Sequence, residues 1–510
     1  MPNTLAYVVL FCWPVAAMIL FRVMPPLRAM IWTILGGYLF LPSRVGIDPP
    51  LLPTLDKRLI PVLAAGALIM WAVSKERRRA AVLARRGGPD AAVVPSAPAP
   101  SGRLRQLFGG MIVLLLLVPV AIYLGNREPL VYGPRVLPAM RPYDIFSMAL
   151  ASAMALLPFL LGRRYLATAE AHREILMALV WGGLIYSLLM AVEIRLSPQL
   201  NRWLYDFFPH SFGQHMRGGS FRPIVFLEHG LLVAIFAAMA CLAAVGLARR
   251  RHPVWWAAAG WIAVILMLSS NLGALFILVV IGSIAAFAGR RMQILAIACV
   301  AGLTLFYPML RGAGLVPTGP VLSLATAINP QRAQSLDFRF HNEDMLLEKA
   351  NRKPIFGWGS WGRSRVFDED GRDISVTDGV WVIEMGTSGW AGYLLTFGLL
   401  TLPLLLPAFG IGRPPDPVTV ALGVVLSANL VDMLPNASLT PLTWMIAGAL
   451  AGRLQRSAAA EPAAEPDPAA RPPRERRPPA RSRPDTAAAA GRGAPVYSRF
   501  EGPASRSPRS

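Results

Sequence analysis

The chain is 510 residues long, 54% hydrophobic and only 15% charged, with a mean hydropathy of +0.47. A water-soluble globule of this length needs a more polar surface, so the composition excludes that class and points to surface that faces lipid. The formal net charge of +21 does not indicate a nucleic-acid partner, because the basic residues sit in short runs between apolar stretches and in the C-terminal tail.

Taken in chain order, apolar runs at 5–21, 27–41, 59–73, 107–124, 144–161, 175–194, 224–247, 254–269, 271–288, 294–310, 388–411, 417–433 and 438–452 predict an all-α, polytopic integral membrane protein with about 12–14 transmembrane helices. The first run lacks a basic flank and a small-residue cleavage site, so it reads as a retained span. Segment 74–106 carries Lys75, Arg77, Arg78, Arg79, Arg85, Arg86, Arg103 and Arg105. Arg163, Arg164 and Arg173 flank a later connection, followed by Arg249–Arg251, Arg290 and Arg291, Arg413, then Arg453 and Arg456. These connections fall on one side if each run crosses once, and their charge makes that side cytoplasmic. Connections 195–223 and 311–387 then face outward, the second as a large loop carrying short helices. Residues 87–102 and the Ala/Pro/Arg-rich tail 457–510 cannot bury enough apolar area to offset ordering entropy, and are expected to be disordered on the cytoplasmic side. This leaves 1–456 as the membrane domain. Cys12, Cys241 and Cys299 all lie in apolar stretches and are expected as free thiols.

The outward loops carry the candidate chemistry. The first ends in HSFGQHMRGGSFRPIVFLEHG, with Arg217 and Arg222 around Gly218 and Gly219. Planar guanidinium forks beside glycines suit a phosphate, and interfacial anchoring would use the same arginines. His210 and His215, five residues apart, are a poor match to one helix face, so no metal site is assigned. In the second loop, Ser335 or Asp337 can cap a helix ending near Arg352, before Pro354. On it Arg339 can pair with Glu343 one turn on, or serve as an anion ligand. The turn PIFGWGSWG follows, whose Trp358 and Trp361 can stack on sugar or sit at the headgroup level. The loop returns through TDGVWVIEMGTSGWAGYLLTFG, where closely spaced glycines allow tight helix packing. Four acids lie in or beside the spans: Glu193, Glu228, Glu384 and Asp432.

The order of these features over roughly 210–452 resembles the bacterial O-antigen ligase and O-antigen polymerase superfamily. It comprises R-G-G-S-F-R, a second arginine before a short helix, KPIFGWG, then WVIEMGTSGWAGYLLTFG. The resemblance implies an inner-membrane glycosyltransferase that moves a glycan from undecaprenyl diphosphate to an acceptor in the periplasm, with no metal, cofactor or nucleotide sugar. Arg217 or Arg222 matches the family's first-loop arginine and Arg339 its second-loop arginine. The three would bind the diphosphate and stabilise its developing charge. Where ligases carry a His-Asn pair this chain has Asp378-Gly379; Asp378 is the expected base for the acceptor hydroxyl. Trp358 and Trp361 would contact glycan. Two other functions stay open: a flippase or transporter of a lipid-linked glycan, and a non-catalytic membrane subunit that docks on other polysaccharide-assembly proteins.

Overall fold

The computed structural model describes residues 2–49, 52–85, 102–217, 220–249 and 253–456. The segment 87–102, apart from its last residue, and the tail 457–510 lie outside the described residues, as do Gly218 and Gly219. The chain divides into Met1–Ala460 and Glu461–Ser510, and every described residue belongs to the first unit.

Helices α1 (Thr4–Phe11) and α2 (Trp13–Val23) meet at a 42° bend. Helix α3 (Pro26–Phe40) leads through the hairpin β1 (Gly46–Ile47) and β2 (Leu55–Asp56) to α4 (Ile60–Arg85). After α5 (Gly102–Leu124) comes a second hairpin, β3 (Leu130–Tyr132) and β4 (Arg135–Leu137), then α6 (Pro142–Tyr165) and α7 (Ala169–Leu196). The first long loop folds into α8 (Leu200–Tyr205), a 3-10 turn at Phe212–His215, and the hairpin β5 (Met216–Arg217) and β6 (Ser220–Phe221). Then come α9 (Gly230–Ala248), α10 (Val254–Leu268), α11 (Leu272–Phe287) and α12 (Arg290–Gly312). The second long loop holds α13 (Thr318–Ile328) and α14 (Pro330–Asn351), and α15 (Val380–Leu405), α16 (Pro417–Asp432) and α17 (Pro441–Gln455) close the bundle.

All thirteen apolar runs fall on helices. Among the described residues, six helices are long and apolar enough to cross a membrane: α5, α6, α7, α9, α12, and α15 with its 3-10 extension to Phe409. The bent α1–α2 pair makes a seventh if counted as one span, and α10, α11 and α16 are apolar but shorter. Only 28% of the apolar window of α5 is buried, with Val113, Leu114 and Leu117 outward. A surface of that kind belongs in lipid, and the chain is a mostly helical, multi-pass membrane protein.

Several boundaries differ from the sequence expectation: α4 runs on to Arg85 and α15 begins at Val380, well before 388, and two further differences have a visible local cause. Helix α9 begins at Gly230, not 224, because buried Glu193 on α7 accepts the backbone N–H groups of Ile224 at 2.7 Å and Val225 at 2.8 Å. It also accepts that of Leu200 at 2.9 Å. The carboxylate thus holds the loop open, with Val225 in the left-handed region at φ 52°. Helix α14 begins at Pro330, before Ser335 and Asp337, so neither residue caps it. Proline suits a first helical position because its missing N–H has no intrahelical partner there.

Helix α9 is the hub. Most of its residues are buried, and it packs on α7, α10, α11 and α16. Small residues permit the approach: a Cβ at Gly246 would meet Ala421 Cβ at 2.6 Å. On α17, Gly448 and Gly452 lie four apart, directly against the backbone carbonyls of Phe159 and Arg163 on α6. Connections at each end of the bundle bond to one another. At one end Arg163 holds Gln455, Arg453 holds Asp416, and Arg249 holds the last carbonyls of α11. At the other, Asn3 bonds Tyr205 and Leu204, Lys57 bonds Phe226, and Arg339 bonds Pro435. The loops with the candidate residues share this second end.

Candidate functional site

Helix α15 is broken at its tenth residue, and the break receives a turn of the second loop. Gly389 has φ 61° and ψ −164° inside the helix. The turn PIFGWG fills the gap: Trp390 N–H donates to Pro354 O at 2.8 Å and Ala391 N–H to Ile355 O at 3.0 Å. In return, Trp358 N–H donates to Gly386 O at 2.9 Å and Gly359 N–H to Thr387 O at 2.8 Å. Backbone groups freed by the break are therefore satisfied by the turn, as a low-dielectric site demands. The start of α15, just after Asp378, is held separately, with Val380 N–H donating to Met433 O at 3.1 Å.

The two tryptophans part company. Trp358 is 8% exposed, donates from Nε1 to Lys349 O at 2.8 Å, and lies with the ammonium groups of Lys349 and Lys353 at 4.2 and 4.5 Å from its ring centre. Its faces are taken, so the expected sugar contact is corrected: Trp358 anchors the turn. Trp361 is 53% exposed, with φ 59°. It lines a cavity of about 380 Å³ between α5, α6, α15 and α17, together with Ser147, Ser152, Glu384 and Ser388. Hydroxyl groups on an apolar wall suit a carbohydrate.

Arg339, on α14, does not pair with Glu343. Its Nε lies 3.5 Å from Asp378 Oδ2, and its Nη1 donates to Pro435 O at 3.0 Å and Asn436 Oδ1 at 3.1 Å. Asn436 in turn donates to Asp432 Oδ1 at 2.8 Å. The chain Asp432–Asn436–Arg339 holds the guanidinium in place, and the two residues expected to be catalytic, Arg339 and Asp378, touch. Glu343 faces Arg311 at 3.7 Å; burial outweighs that arginine and pushes its carboxyl up to about 7.

In the first loop, the backbone N–H of Arg222 donates to His215 O at 2.8 Å. Both Arg222 and Arg339 act on His229, the N-cap of α9. Burial, then the His215 and His210 rings, then these two arginines hold its imidazole down to about 3. Arginines from both long loops thus act on the charge of one ring. Arg217 lies in β5, and its side chain is outside those described. Glu228, beside His229, pairs with Arg58 at 2.8 Å. Lys57, buried, donates to Phe226 O at 2.9 Å, and burial lowers its ammonium to about 7. Neither Lys57 nor Arg58 stands out in the sequence, because the loop before α4 joins the site only through tertiary contact.

The metal question changes with the fold. His229 joins His210 and His215, and one ring nitrogen of each lies within 4.8 Å of the others. The five-residue spacing of the first two could not reveal the third. Rings 210 and 229 sit 4.8 Å apart, as do 215 and 229.

No protein-family model matches the chain, and no curated protein matches it.

Proposed function

We propose that this chain is a glycosyltransferase of polysaccharide assembly, of the O-antigen ligase and polymerase kind, that moves a glycan from undecaprenyl diphosphate to an acceptor hydroxyl. The observation that carries the reading is the contact of Arg339 with Asp378, near the histidine on which Arg222 also acts. It supplies a cation for a leaving diphosphate and a carboxylate for an incoming hydroxyl in one place. The order of motifs from RGGSFR to WVIEMGTSGWAGYLLTFG supports it as well.

In this reading the shorter apolar helices cross an inner membrane as well, for about 12–14 spans in all, the arginine-rich end is cytoplasmic, and the loop end with its large second loop is periplasmic. The donor's lipid lies among the spans. The acceptor oxygen attacks the anomeric carbon, the bond from that carbon to the diphosphate oxygen breaks, and undecaprenyl diphosphate leaves. The hydroxyl proton passes to Asp378. Arg339 and Arg222 stabilise the charge that grows on the leaving diphosphate, a contribution of about 10²–10³ in rate for one such donor. Trp361 and the hydroxyl-lined cavity hold glycan. No metal takes part in these steps, since the arginines supply the charge.

The surface glycans of a deletion strain test the proposal. Long chains left on lipid carrier identify a ligase, and single repeat units identify a polymerase. A profile unchanged from the parent overturns the proposal. Donor trapped on the cytoplasmic side would indicate a flippase instead.

A further inference from the structure

Three histidines within 4.8 Å invite a metal ion, but their hydrogen bonds argue for another ligand. A neutral imidazole has one N–H and one lone pair. The backbone N–H of Ser211 donates to His210 Nδ1 at 2.8 Å, and that of Leu231 donates to His229 Nδ1 at 3.0 Å. In both rings the lone pair is therefore at Nδ1 and the proton at Nε2. A metal-binding histidine is arranged the other way, with its distal N–H donating to an oxygen so that the coordinating nitrogen keeps a lone pair. What these two rings can offer a ligand is an N–H donor.

The surrounding charge agrees. Arg222 and Arg339 act on His229, and Arg44 acts on His210. The nearby acids Asp378 and Glu228 each face an arginine of their own, Arg339 and Arg58. Such surroundings repel a divalent cation and attract an oxyanion. They also keep both rings neutral near pH 7: burial lowers His210, and His229 is held down to about 3. N–H donors and guanidinium groups together match the oxygens of a phosphate, as in other anion sites.

We propose that His210 and His229 are Nε2–H donors to a diphosphate, so that the histidine cluster is part of an oxyanion site and not a metal centre. This rests on the reading that the loop end takes a lipid-linked diphosphate. It adds to the arginines two positioning groups that carry no charge of their own.

Asparagine separates the two roles of each ring, because its side-chain oxygen still accepts from the backbone while the Nε2–H donor is lost. The full chain in lipid nanodiscs is titrated with inorganic pyrophosphate and with farnesyl diphosphate by calorimetry, and with Co²⁺ by visible absorption. The expected result is that His229→Asn and His210→Asn each weaken pyrophosphate about tenfold or more, as loss of a hydrogen bond to a charged group does. Their melting temperatures stay within a degree or two of the parent, and Co²⁺ gives no tetrahedral band. Variants that bind pyrophosphate like the parent would overturn the proposal while leaving the arginine site standing. A Co²⁺ band that either substitution removes would overturn it in favour of a metal. A parent chain that binds neither diphosphate overturns both this proposal and the reading beneath it. Tighter binding of farnesyl diphosphate than of pyrophosphate supports a lipid-linked ligand. Equal binding supports the oxyanion site but counts against the lipid carrier.

Discussion

Gly389→Ala removes a backbone freedom on which the break in α15 depends. At φ 61° and ψ −164° the residue lies where side chains other than glycine's are strained by about 1–3 kcal/mol. A Cβ there would also stand 2.5 Å from the carbonyl carbon and oxygen of Ile355 and 2.6 Å from Pro354 O. The atoms it meets are backbone, so relief requires moving the PIFGWG turn, at a further cost of about 1–3 kcal/mol. The sum, about 2–6 kcal/mol, corresponds to a fall in melting temperature of roughly 2–6 °C. Thermal unfolding in detergent, followed by tryptophan fluorescence, measures it. Gly260→Ala is the control: nothing lies within 4 Å of its Cβ position in the middle of α10, so the gain in helix propensity of up to about 1 kcal/mol should leave the midpoint equal or higher. Gly389→Ala with the parent's melting temperature would refute the account of the break and its splint.

Packing and charge give two further outcomes. Gly448→Leu should abolish stable folding or cut expression severely, because its side chain must enter the space held by the Phe159 carbonyl on α6; a variant that purifies with normal yield and melting temperature would contradict this. Glu343→Gln should raise the melting temperature relative to the parent more at pH 8 than at pH 5. The Glu343 carboxyl is raised to about 7, so the folded state favours its neutral form; that advantage is full below about 4.5 and lost as pH rises through 7. A difference independent of pH would count against it.

The membrane helices are legible in the sequence because hydropathy is a local property, and each of the thirteen apolar runs marks a helix. Where the chain departs from hydropathy, a distant polar group is responsible. Ile224 to Leu227 are apolar yet remain outside α9, because Glu193 binds the backbone there. The early start of α14 did leave a local sign, the Asn329-Pro330 pair. Within the site, Arg339, Asp378 and Arg222 are recognisable by residue type and loop position. Their companions are not: Arg58, Asn436 and His229 gain meaning only when loops far apart in sequence meet. The choice of Arg339 between Glu343 and Asp378 was likewise closed to sequence, since the i,i+4 partner is always available and the tertiary one is invisible. Trp358 misleads because an aromatic beside glycines reads the same whether it faces sugar or two lysines.

The central claim is that the loop end transfers a glycan from lipid diphosphate by means of Arg339. The direct measurement uses the purified chain in nanodiscs with an undecaprenyl-diphosphate-linked glycan and acceptor, following undecaprenyl diphosphate release and glycan joining together. The account predicts that both appear in step, and that Arg339→Gln slows them about 100-fold or more without unfolding the protein. A variant that turns over like the parent, or a parent chain that releases no undecaprenyl diphosphate, would contradict it.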